Sequence, residues 1–261
     1  MQQTELFKLA YKVAEENNLL SYINILLNYW EENPPTLGHG FVHVLNVALN
    51  CYDFAGENSY PKPADLFVAG LFHDIYRPAE GQDGEENQSE GAKVVEELFS
   101  KNKIDPELTG KIVKAINSHD SWRDSEDPPL FELLLSVADK ASLNSDMTYQ
   151  YVWASNKQAR EKNAKPPYTS HFRALYGFVK YQQRAWEIFA RHPIKGTEKA
   201  IAAYLEVYSK TSDNYLRNPK VERFEEYMKS VADKALAYEI EALKQFGRST
   251  ISIEKITALA H

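Results

Sequence analysis

The stretch "AGLFHDIYR", Ala69 to Arg77, ends an apolar run in a His–Asp doublet, with an arginine three residues further on. Burying Asp74 unpaired costs free energy or shifts its pKa strongly, so it wants a cation, an Arg or Lys partner, or helix N–H groups. Two other apolar runs carry the same kind of anomaly: His43 in "FVHVLNVA" and Asp139 in "LLLSVADKASL". One polar residue in such a run is ordinarily a satisfied core group. Four of them, ordered His, His-Asp, Asp on three buried helices, point to a shared partner. Two imidazoles and two carboxylates with no thiolate suit a nitrogen–oxygen site for a divalent first-row ion or Mg²⁺. They suit a structural tetrahedral zinc poorly.

The elements that must position these residues read as helices throughout. Apolar spacing near 3.6 runs through "LFKLAYKVAEENNLLSYINILLNYW" and breaks at Asn33-Pro34-Pro35. "GHGFVHVLNVALNCYDFAG" is the next helix, with Gly56 as its stop. Asp65 is the expected N-cap of "LFVAGLFHDIY", whose last turn then holds the doublet. This segment has no polar face, which makes the helix central. Pro78 to Glu90 reads as an acidic loop bordering the doublet, with Pro78, Gly81 and Gly84 as breakers. Asp105-Pro106 opens a further helix, as N-cap and first residue, and "LFELLLSVADKASLN" is a buried one. Strand alternation, repeats and low-complexity tracts are missing from the sequence, so the expected class is all-α.

The totals narrow the function classes. The chain has 261 residues, 43% hydrophobic and 26% charged, as in an ordinary soluble protein with a sizeable core. Cys51 is the only cysteine, which excludes a disulfide framework and a Cys-rich zinc site. Without a signal-peptide pattern or a spanning apolar run, the expected location is cytoplasmic, with no membrane partner. The net charge of −7 is uneven: residues 1–147 hold 11 basic and 25 acidic groups, residues 148–261 hold 19 and 12. The acidic front argues against nucleic acid as a partner. The basic rear either docks on it, supplies cations to an anionic ligand, or is a solvated face.

Taken in order, "HGFVHVLNVALNC", "LFHDIYR", "INSHD" and "LLSVADKASL" resemble the HD-domain metal-dependent phosphohydrolase superfamily over about residues 36–146. The resemblance implies an all-α HD-domain helical core with additional C-terminal helices. The expected division is residues 1–146 as core and 147–261 as an extension packing on it, with the boundary near Asn144-Ser145-Asp146. It also implies that His43, His73, Asp74 and Asp139 bind the metal, His39 being the competing first ligand. Asn87 stands where many dinuclear members have a further histidine, so one divalent ion per chain is expected (Mn, Co, Ni, Fe, Mg or Zn).

The expected activity is hydrolysis of a small phosphate ester, with nucleotides as the leading class, by attack of activated water. The catalytic set is Asp74, Arg77, His119 and Lys140. Arg77 and Lys140 meet phosphoryl charge, Arg77 having Asp74, Glu80 and Asp83 as rival partners. His119 in "INSHD" contacts phosphate or relays a proton, unless it only ends a helix near its negative pole. The alternatives are a nucleotide-sensing or interaction module without turnover and a diiron oxygenase on the same fold. The rear aromatics, among them Trp153, Tyr168 and Tyr176, serve packing, base stacking or a homodimer interface.

Overall fold

The computed structural model describes residues 3–36, 38–77, 84–119, 128–142, 191, 194–217 and 221–257. They are all-α, with no strand among them. The helices are α1 (Gln3–Glu16), α2 (Leu20–Trp30), α3 (Phe41–Glu57), α4 (Pro63–Phe72), α5 (Gly84–Lys101), α6 (Pro106–Ser118), α7 (Leu130–Ser142), α8 (Thr197–Arg217), α9 (Val221–Gln245) and α10 (Thr250–Thr257).

Three helices make the centre. α4 is buried at every residue from Leu66 to Phe72, and α7 from Phe131 to Ser142. α3 packs on both. α3 and α4 touch backbone to backbone: a Cβ on Gly70 would sit 2.6 Å from the Ala48 Cα. Around them, Trp30, Phe7, Phe41, Phe67, Phe72 and Phe99 are fully buried. α5 and α6 pair with each other, and α6 also meets α4 and α7. α8 lies on α7, α9 on α3 and α1, and α10 on α2.

Several local expectations need correction. The first apolar stretch is two helices, because Asn18 adopts a left-handed conformation (φ 60°) and the Leu19 N–H donates back to the Ala14 carbonyl at 2.7 Å. That is a helix-ending hydrogen-bond pattern in which Asn is the usual substitute for Gly. Gly56 does not stop α3; the helix runs on through Glu57, and Ser59 (φ 57°) makes the left-handed turn. Asp65 is not an N-cap: α4 begins at Pro63, with Lys62 at the cap, and Asp65 lies in its first turn. The loop expected up to Glu90 is helical from Gly84.

Asp105 does cap α6, accepting from the Glu107 N–H at 3.0 Å, with Pro106 following. Two rear cations dock on the front: Lys199 donates to Asn50 Oδ1, and Arg248 meets Glu31 at 3.2 Å. The boundary at Asn144-Ser145-Asp146, the rival partners Glu80 and Asp83 of Arg77, and the aromatics Tyr149, Tyr151, Trp153, Tyr168, Phe172, Tyr176, Phe178, Tyr181, Trp186 and Phe189 lie outside the described residues. Within the described residues, no helix is long and apolar enough to cross a membrane.

Candidate metal centre

The doublet does not sit in the last turn of α4. The helix ends at Phe72, and His73 is its C-cap, still in helical conformation (φ −58°, ψ −33°). The last carbonyls of a helix lack intrahelical donors. His73 supplies one: its Nδ1–H donates to the Gly70 carbonyl at 2.8 Å. That bond leaves Nε2 as the atom facing inward. His43, in the first turn of α3, is oriented in the same sense. Ser142 Oγ donates to the Asp139 carbonyl at 2.6 Å, so it accepts from His43 Nδ1–H at 3.3 Å.

Both carboxylates are split between an inner and an outer oxygen. Asp74 Oδ2 lies 3.4 Å from His43 Nε2 and 3.2 Å from His73 Nε2. Its Oδ1 takes the Arg77 guanidinium, from Nε at 2.7 Å and Nη2 at 2.5 Å. Asp139 Oδ1 lies 3.6 Å from His43 Nε2 and 3.7 Å from His73 Nε2, while its Oδ2 takes Lys140 Nζ at 2.5 Å. The two imidazole Nε2 atoms are 3.2 Å apart. Two ligands about 2.1 Å from one ion are separated by about 3.0–3.4 Å for angles of 90–110°. The spacings between the imidazoles, and from each carboxylate oxygen to the imidazoles, are therefore close to the edges of a coordination shell. His43, His73 and Asp139 each offer a ligand atom within 4.8 Å of the others, and all three are buried.

The family model of the HD domain matches residues 40–144. Over that segment the chain is similar to HD domains. No curated protein and no solved structure matches the chain.

The other predicted residues fall at the margin of this cluster. His39 Nε2 is 4.0 Å from Asp74 Oδ2, farther than His43, and its ring meets the His43 ring edge-on at 5.9 Å. Burial lowers His39 to about 3, which keeps it neutral. His119 repeats the His73 device as the C-cap of α6: its Nδ1–H donates to the Ile116 carbonyl at 2.7 Å. Its Nε2 lies 3.9 Å from Asp74 Oδ1, and its ring stands perpendicular to that of His73 at 5.4 Å. Arg77 holds Asp74, one of the partners considered for it. Lys140 is buried against its chain neighbour Asp139. Asn87 lies half-buried on α5.

The electrostatics are those of a cluster that wants positive charge. Burial alone would raise Asp74, but Arg77 and His73 hold it well below the usual carboxylate range. Asp139 is likewise held low against burial, by Lys140 and His73. Burial disfavours a charged His73, yet Asp74 and Asp139 outweigh it and lift the imidazole to about 10.

Sequence reasoning missed the residues that hold the cluster in place. Asn46 and Asn50, four apart on α3, donate to the Ser142 and Ala138 carbonyls and so clamp α7 on both sides of Asp139. Their signal was available, as amides in an otherwise apolar run. Trp30 Nε1–H donates to the Ile75 carbonyl at 3.1 Å, and Thr36 bonds the Arg77 carbonyl through both its N–H and its hydroxyl. Ser136 Oγ donates to the His119 carbonyl at 3.0 Å. Nothing local to these residues announces such long-range partners.

Proposed function

We propose that the protein is a phosphohydrolase that uses one divalent ion, held by His43, His73, Asp74 and Asp139, to hydrolyse a small phosphate ester, with nucleotides as the leading substrate class. The observation that carries this reading is the convergence of two imidazole Nε2 atoms and two carboxylate oxygens at 3.2–3.7 Å spacings inside an HD domain. The donor set fits such an ion: both histidines are tied at Nδ1, and each carboxylate turns one oxygen inward while a cation holds the other. A bound divalent ion supplies Lewis acidity there, making water nucleophilic at neutral pH and polarising a phosphoryl oxygen.

The chain's own residues do the rest. Arg77 and Lys140 fix the Asp74 and Asp139 carboxylates and set positive charge beside the phosphoryl group. His119, whose Nδ1–H is committed to Ile116, takes up at Nε2 the proton that the attacking water loses and passes it to the departing ester oxygen, so that water and ester become alcohol and phosphate.

The test is phosphate release from a panel of nucleotides and simple esters. The protein is stripped, then reloaded with Mn²⁺, Co²⁺, Ni²⁺, Fe²⁺, Mg²⁺ or Zn²⁺, and Asp139→Ala is run alongside. Metal-dependent release that disappears in the variant supports the reading. No release from protein shown to hold metal overturns it.

A further inference from the structure

The metal-site helix α3 starts without a cap of its own. The first N–H groups of a helix have no intrahelical acceptor and are ordinarily met by the N-cap side chain. Here the N-cap is Gly40, which has none. The acceptor comes from 197 residues away: Glu239 on α9 places Oε1 3.1 Å and Oε2 3.2 Å from the Val42 N–H. The Phe41 N–H also donates to it.

Gly40 is not demanded by backbone geometry, since its φ of −77° suits any residue. It makes room. A Cβ there would lie 2.7 Å from Glu239 Oε1 and 2.9 Å from its Cδ. His43 immediately follows the bonded Val42, in the turn this carboxylate anchors. The carboxylate holds its place although burial disfavours its charge and lifts the group to about 7 against the pull of the two N–H bonds.

We propose that Glu239 is a positioning residue for His43: it lies outside the HD domain, supplies the cap Gly40 lacks, and thereby fixes the first turn of α3 and the placement of His43 Nε2 against His73 and Asp74. For its metal arm the inference rests on the reading above.

The experiment uses the full chain, metal-free, with imidazole ¹⁵N resonances assigned by single histidine substitutions. Glu239→Ala is expected to move the His43 signals well beyond those of His119, whose ring is held by α6. Glu239→Gln keeps an acceptor of the same shape and restores them toward wild type. Gly40→Ala crowds the carboxylate off the N–H groups and reproduces the Glu239→Ala spectrum. Combining Gly40→Ala with Glu239→Ala then adds little. In a second arm, Co²⁺ binding weakens about five-fold in Glu239→Ala, the share of a lost cap that reaches the site.

Unmoved His43 signals in folded Glu239→Ala overturn the proposal. If Glu239→Ala does not fold, Gly40→Ala decides in the same way: shifted signals support the proposal and wild-type signals overturn it. A wild-type protein that takes up no Co²⁺ overturns the metal reading alone, since the resonance arm does not need the ion.

Discussion

Gly70→Ala tests the idea that the His–Asp cluster depends on two backbones in direct contact. A Cβ at Gly70 would meet the Ala48 Cα at 2.6 Å, the Ala48 N at 2.8 Å and the Val47 C at 3.0 Å. Ordinary contact begins near 3.4 Å, so the shortfall approaches 1 Å, about the width of the attractive well. All three atoms are main chain, and no side chain can rotate away. α3 and α4 must separate, and the strain reaches the site directly: Gly70 is the residue whose carbonyl holds His73, and Ala48 is on the helix that carries His43. Overpacking of this kind costs roughly 1–3 kcal/mol. For a chain of this size that lowers Tm by roughly 2–4 °C per kcal/mol. The 3.2 Å spacing of the two Nε2 atoms opens as well, and displacing support of this kind weakens metal binding roughly 10- to 100-fold. The assay is thermal melting of chelated protein, followed by Co²⁺ titration well below Tm. Gly110→Ala is the control: a Cβ there meets nothing within 4 Å, so the change is neutral or gains up to about 1 kcal/mol of helix propensity. A Gly70→Ala protein that melts with the control and binds Co²⁺ like wild type would refute the reasoning.

Four further outcomes are expected. His73 is raised from 6.5 to about 10, so its contribution to stability is complete below pH 6.5 and drains away as pH rises through about 10; the Tm of chelated protein falls over that window, and His73→Asn flattens the fall. Because ligation needs that proton off Nε2, metal uptake at pH 8 releases about one proton, readable with a pH indicator in weak buffer; uptake without release contradicts the raised pKa. Asp139→Ala breaks the buried pair with Lys140 and destabilises by about 3–5 kcal/mol; adding Lys140→Met regains part of the stability in denaturant melts without regaining metal binding, and recovered binding would exclude Asp139 as a ligand. Trp30→Phe removes the donor to the buried Ile75 carbonyl at a cost of roughly 1–3 kcal/mol; an unchanged Tm would show that this bond carries no stability.

The four cluster residues were legible because each breaks an apolar run, and a buried polar group needs a reason. The all-α class was legible from the 3.6-residue spacing and the missing strand alternation. Places where one residue changes chain direction were harder. Asn18 and Ser59 are ordinary helix-surface residues until the backbone turns left-handed, and periodicity continues smoothly across Asn18. The doublet's position just past the end of α4 escaped for a related reason: His73 keeps helical dihedrals, so the apolar pattern runs on into Ile75 although the helix has ended. Glu239 was out of reach altogether. In "ALAYEIEALKQ" it is one of two glutamates on a long polar-faced helix, and only the fold brings it to Gly40.

The clamps around the doublet bear on how this chain can be cut and reused. Trp30 and Thr36 grip the segment after His73-Asp74 from before residue 40, and Lys199 and Glu239 grip α3 from beyond residue 144. The recognisable segment is thus a cassette whose scaffolding is written on either side of it. Grafting residues 40–144 alone into another protein would transplant every cluster residue and leave behind the struts that keep them aligned. The smallest working unit for engineering is set by those struts, and it is wider than the family signature.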